Sequence, residues 1–147
     1  MLWLESGAIF AVGKADYSLS PPEDPKLNVG VEVDGIHTLV VLDTAAPFLL
    51  CSLWLATQLD VSKFDRIGST RIVTNRGTLS GDLYRLPLRL IASEGNAIEI
   101  QATAIVPDLN QDHWRDAPTF LGFRDCLDRL RFAIDPSEEK FYFGPYP

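Results

Sequence analysis

Two cysteines and two histidines are all that this 147-residue chain offers of the side chains that most often ligate metals or supply a nucleophile and its base. Cys51 and Cys126 stand far apart, in no CxxC spacing and beside no histidine cluster, which argues against a structural zinc site. Each adjoins a leucine, Leu50 and Leu127, so two buried reduced thiols are expected. His37 and His113 are widely separated, and neither accompanies a Ser or Cys in a nucleophile-like turn, so triad chemistry lacks its parts. A phosphate-binding loop is also missing, because Gly77 and Gly81 are not followed by the Lys-Ser/Thr such a loop needs. Positive charge is scarce: 13 Lys plus Arg face 20 Asp plus Glu, a net charge of −7. Such a surface matches neither phosphate backbones nor anionic lipid, so no nucleic-acid or membrane partner is expected. Long hydrophobic runs are absent too. The longest stretch without a charge, Thr44 to Leu59, is too short to span a bilayer and contains Pro47. Met1 to Glu5 lacks the basic and apolar regions of a signal peptide, and a soluble cytoplasmic protein is the expectation.

What remains is an ordinary globular composition, 46% apolar and 22% charged, with the length of one domain. Residues 1–25 read as an N-terminal extension ending in a linker, Ser18 to Pro25, where Pro21, Pro22 and Pro25 restrict the backbone. Residues 26–147 read as an all-β domain. Asn28 to Val33 alternates, Asp34-Gly35 signals a hairpin turn, and His37 to Leu42 returns as a strand that ends in a buried apolar run. Ser52 is a candidate N-cap for a short helix, Leu53 to Leu59. Arg71 to Leu88 reads as a long hairpin with a mobile glycine-containing tip, and Ala97 to Val106 as a further strand. Phe120-Leu121-Gly122 should feed a second helix, Arg124 to Leu130, and Phe132–Ile134 and Phe141–Phe143 should close the chain as strands. Trp54 and Trp114 read as packing residues and Trp3 as an exposed contact. A weak echo links the unit ending Leu42-Asp43-Thr44 with the one ending Leu121-Gly122-Phe123. Two related β units or chance recurrence would each explain it.

Asp43 is the distinctive residue. It follows Leu39-Val40-Val41-Leu42, and a carboxylate at the end of a buried strand is costly to keep charged unless it is paired, hydrogen-bonded or protonated. An Asp that merely caps the next turn is the structural alternative. Asp34 and Asp125 are rival carboxylates, placed by sequence in a turn and in the first turn of a helix.

Val41-Leu42-Asp43-Thr44-Ala45-Ala46 resembles the Asp-Thr/Ser-Gly-Ala signature of the retropepsin-like aspartic proteases. Phe120 to Phe132 resembles the second, Gly-to-helix signature in its bacterial form, and the Arg71–Leu88 hairpin lies between them, where that family has its flap. The resemblance spans roughly residues 26–144 and implies a retropepsin-like closed barrel with a flap hairpin and one or two short helices. It also implies a homodimeric aspartic endopeptidase. Two carboxyls, one Asp43 from each subunit, would share a proton because like charges about 3 Å apart cannot both ionise. Aspartic proteases are the standard instance of that effect. No metal or organic cofactor is implied, and the partners would be a second copy and a peptide or protein substrate.

By the same resemblance Thr44, Ala45 and Ala46 would support the active-site loop, with Thr44 bonding the neighbouring subunit. Asn75, Arg76, Gly77, Thr78, Leu79, Ser80 and Gly81 would form the flap and bind substrate, and Leu121, Gly122 and Phe123 would line subsites. Phe141–Phe143 would be either a dimer-forming strand or a strand of the chain's own sheet. The sequence departs from the family at Ala45, where glycine is usual, at Pro47, at Phe123, inserted before Arg124-Asp125, and in a hairpin that does not copy the viral pattern. Those departures leave an inactive peptide-binding or scaffolding dimer of the same fold as the alternative function. An unrelated barrel binding an apolar ligand is a second rival.

Overall fold

The computed structural model describes residues 2–3, 7 and 9–146; the other residues of the N-terminal extension (1, 4–6 and 8) and residue 147 lie outside the described residues. The chain runs through β1 (Leu2–Trp3), β2 (Ile9–Ala11), β3 (Gly13–Asp16), β4 (Ser18–Leu19), β5 (Leu27–Val33), β6 (Ile36–Leu42) and β7 (Leu49–Leu50). Then come the helix α1 (Leu53–Gln58), β8 (Arg66–Thr74), β9 (Gly77–Leu90), β10 (Glu94–Gly95) and β11 (Ile98–Pro107). The chain ends with β12 (Thr119–Leu121), β13 (Arg131–Asp135) and β14 (Lys140–Gly144). The fold is mostly β.

The large sheet has the order β4-β5-β6-β12-β7-β11-β9-β8, and β5 also pairs with β9, so the pairings β5-β6-β12-β7-β11-β9 return to their start. The local reasons are legible in the chain. Val29, Val31 and Val33 of β5 are buried while Asn28, Gly30 and Glu32 between them are half-buried, the period of two that a sheet with one core face demands. Asp34 and Gly35 both have positive φ, 48° and 79°, the backbone that a two-residue hairpin with the right-handed strand twist requires. Asp34 is pinned there by Lys63, 2.8 Å away. Ser52 caps α1 by accepting a hydrogen bond from the Leu55 backbone N–H at 3.0 Å.

β9 serves two cores. Leu86, Leu88 and Leu90 enter the main core with Val31, Ala104 and Leu121, while Leu79 packs in a smaller cluster with Leu50, Ile105, Trp114 and Ala117. The burial phase switches along β9 near Leu83, opposite a register shift between Arg66 and Gly68 on β8.

Four expectations need correction. The segment read as an extension and linker is, where described, paired into both sheets: β3 pairs with β14 and β10, and β4 with β5. Ser18 to Pro25 does not stay extended, because Asp24 N–H bonds to the Pro21 carbonyl at 3.0 Å and the chain turns back into β5. The second helix is absent; Arg124 to Leu130 contains only a 3-10 turn, Leu127–Arg129, since Asp125 takes φ +56° and breaks the helical path. Asp125 instead pairs with Arg129 at 3.1 Å and accepts a bond from Thr103 Oγ1 at 3.2 Å. Trp54 is half exposed on α1 rather than packed in the core.

β14 is flanked on one side by β3 and on the other by β13. Both of its edges are satisfied within the chain, so of the two readings for Phe141–Phe143 the strand of the chain's own sheet is the one observed, with Phe141 and Phe143 fully buried.

Cys51 and Cys126 are buried free thiols. Burial pushes the Cys51 thiol up to about 12, and burial aided by the nearby Asp125 and Asp128 raises Cys126 as well. Both therefore stay protonated and shielded at neutral pH. Neither should react with a thiol-specific disulfide reagent in the native chain, and both should react once it is unfolded in denaturant. Rapid labelling of the native chain would contradict this packing.

Candidate active site

Asp43 ends β6 and Gly122 follows β12, and these two strands run parallel with Leu42 opposite Leu121. The two echoed segments of the sequence thus end side by side. Just beyond, the chains cross and are tied by backbone bonds. Asp43 N–H donates to the Leu121 carbonyl at 3.0 Å, Gly122 N–H to Phe48 at 2.8 Å, Phe123 N–H to Ala46 at 2.8 Å, and Phe48 N–H to Arg124 at 3.1 Å. Gly122 is required by this close approach: a Cβ there would lie 2.2 Å from the Phe48 carbonyl oxygen and 2.5 Å from that of Ala46.

Within the loop, Asp43 Oδ1 accepts a bond from the Ala45 N–H at 3.0 Å, and the Asp43 carbonyl accepts one from Ala46 at 3.1 Å. The carboxylate therefore caps its own turn while standing half-buried in the lining of a cleft. Ala45 is not among the described residues with positive φ, so the position where the family carries glycine is occupied by alanine without backbone strain. The strained residue is Phe48, at φ +60°, with the Arg124 guanidinium 5.7 Å from its ring centre. Thr44 and Ala45 are exposed.

The cleft has a volume of about 510 Å³. It is lined by Asp43, Ala45, Ala46 and Pro47 of the loop after β6 and by Ile72, Val73, Thr74, Asn75 and Arg76 at the end of the β8–β9 hairpin. Leu50, Trp114, Phe120, Asp24 and Lys26 complete the lining. Trp114 is 1% exposed, donates its indole N–H to the Cys51 carbonyl at 3.0 Å, and meets Phe120 with ring centres 6.0 Å apart.

Of the residues assigned to the hairpin site, Asn75 and Arg76 line this cleft and Gly77 to Gly81 do not. The tip is a two-residue turn, with Thr74 opposite Gly77, so Gly77 to Gly81 belong to β9 rather than to a mobile loop. Leu79 is fully buried, and Gly81 lies so close to β11 that a Cβ would meet the Val106 carbonyl oxygen at 2.4 Å. Gln111 clamps this stretch at both backbone groups of Ser80, each at 2.8 Å, and His113 Nε2 lies 2.7 Å from the Thr78 carbonyl. Leu121 is buried, Gly122 is the crossing point, and Phe123 is 45% exposed outside the cleft; Phe120 is the member of that signature that faces it. Sequence reasoning missed Ile72, Val73, Thr74, Trp114, Phe120, Asp24 and Lys26. The alternation of β8 could have indicated Ile72 and Thr74; nothing local marks the others.

Among the described residues no cluster of His, Cys, Asp and Glu could hold a metal ion, and no helix is long and apolar enough to cross a membrane.

The fold is retropepsin-like. The chain is similar to the crystal structure of a retropepsin-like aspartic protease from Rickettsia conorii, with a TM-score of 0.54 and 15% identity over 91% of this chain and 94% of the other. The solution structure of the Simian Foamy Virus (mac) protease matches at a TM-score of 0.41 and 16% identity, over 67% of this chain and 89% of the other, too distant to add to that assignment. No family model matches the chain. No curated protein matches it either.

Proposed function

We propose that the protein is a homodimeric aspartic endopeptidase in which water, held between Asp43 of two copies, attacks a peptide carbonyl. The observation that carries this reading is the placement of Asp43: a carboxylate fixed at a four-bond backbone crossing, lining a cleft that a hairpin tip also lines. One Asp43 carboxylate takes a proton from the water as its oxygen bonds to the carbonyl carbon, while the other carboxyl gives its proton to the carbonyl oxygen. The tetrahedral diol then collapses: the amine leaves with the proton that the first carboxyl took from water, and a diol hydroxyl returns its proton to the second carboxylate as the acid product forms. A single chain supplies one such Asp, so the second comes across a two-fold axis. Thr44 and Ala45, exposed beside the exposed Phe123, offer the surface that a second copy would cover. The tip from Val73 to Arg76 is the part of the hairpin that would close over an extended peptide, since Ile72, Leu79 and the Gln111 clamp hold the rest.

The test is cleavage of an unfolded protein or fluorogenic peptide at mildly acidic pH. Cleavage is expected to be blocked by a statine-type transition-state analogue, and activity per chain should fall on dilution as dimers separate. A stable dimer that binds peptide without cleaving it would favour the scaffolding alternative. A strict monomer over a wide concentration range would refute the shared carboxyl pair.

A further inference from the structure

Resting on the peptide-cleft reading above, we infer that Lys26 is a specificity-determining residue, which selects an acidic side chain two positions from the bulky apolar residue seated in the cleft. The cleft lining brings the aromatic residues Trp114 and Phe120 together with the ion pair of Lys26 and Asp24. Lys26 Nζ stands 5.8 Å from the centre of the Phe120 ring, which in turn packs on Trp114. An extended peptide presents side chains i and i+2 to the same wall, about 6.6–6.8 Å apart. A residue resting on Phe120 therefore brings its i+2 neighbour to the Lys26 ammonium.

The ammonium is held ready for such a partner. Lys26 has only 27% of its side chain exposed, while Asp24, its partner at 3.1 Å, has 72% exposed. Asp24 is the solvent-facing member of this pair, so a peptide carboxylate can take its place while Asp24 returns to water. The loop that carries both residues is fixed by Asn28, whose amide donates to the Ser18 carbonyl at 3.3 Å, Ser20 Oγ at 3.1 Å and the Lys26 carbonyl at 3.2 Å. Arg76, at the hairpin tip that lines the same cleft, adds a second positive charge. In a chain of net charge −7 the cleft thus holds two cations, Lys26 and Arg76, beside its two carboxylates, Asp24 and Asp43.

Binding to the full-length Asp43→Asn protein tests this without requiring turnover. Fluorescein-labelled peptides carrying Phe-Ala-Glu, Phe-Ala-Gln or Phe-Ala-Lys, each in both orders in a neutral background, are compared by anisotropy at low salt. The Glu peptide is expected to bind about fivefold more tightly than the Gln peptide, a preference that shrinks as salt rises. Lys26→Gln should remove the preference, and Lys26→Glu should turn it toward the Lys peptide. Asp24→Asn should strengthen Glu-peptide binding by freeing the ammonium. Equal binding of the three peptides, or a preference unchanged in both Lys26 variants, would overturn the selection while leaving a peptide cleft in place. Failure of every peptide to bind the folded protein would overturn the selection and the cleft reading together.

Discussion

Asp43→Asn is expected to lower peptide hydrolysis by roughly a thousandfold or more, the scale of a lost general acid–base group, while leaving the chain folded. The substitution changes both members of the proposed pair at once, and an amide can neither take a proton from water nor hand one to the carbonyl oxygen. The fold has little reason to object. The asparagine Oδ1 can still accept the Ala45 N–H that Asp43 Oδ1 accepts at 3.0 Å, and the backbone bond to Leu121 is untouched. The check is kcat/KM on a fluorogenic peptide beside a thermal unfolding curve of the same sample. Activity that survives in a protein melting at the parental temperature would refute the chemistry assigned to Asp43.

Gly122→Ala is expected to damage the fold itself. The added methyl would sit 2.2 Å and 2.5 Å from two carbonyl oxygens and 2.8 Å from the Pro47 carbonyl carbon. All three are backbone atoms of the loop that carries Asp43, so no side-chain rotation relieves the contact. Overpacking at a rigid site costs about 3 kcal/mol or more, a large part of the roughly 5–15 kcal/mol by which a domain is stable. For a chain of this size that corresponds to a fall in Tm of about 6–12 °C. Calorimetry measures it directly, and an unchanged Tm would mean that the two segments do not cross as described.

These two residues also mark what the sequence could and could not tell. Asp43 was legible because a carboxylate closing an apolar strand demands an explanation wherever it occurs. The β5–β6 hairpin was legible because Asp34-Gly35 has one economical backbone solution, and the β8–β9 hairpin because its flanks alternate. The hairpin tip was misjudged for a physical reason. Glycine is used by turns and by strands that another backbone approaches closely, and Gly81 is of the second kind. The stretch Arg124–Leu130 misled because Cys126, Leu127 and Leu130 fall at a spacing that suits a helix and a single tight turn alike. The cleft itself was illegible altogether. Lys26, Ile72, Trp114 and Phe120 are gathered from distant parts of the chain by sheet closure, and no local pattern encodes that meeting.

The burial of β14 between two strands of its own chain has a physiological corollary. In the dimer proposed above β14 could not be the shared strand, and contact would fall to exposed loops such as that of Thr44 or to the open edge of β13. Proteolysis would then track how much of the polypeptide a cell has made. Scarce molecules would drift apart and fall silent, and rising synthesis would bring the pair of carboxyls together.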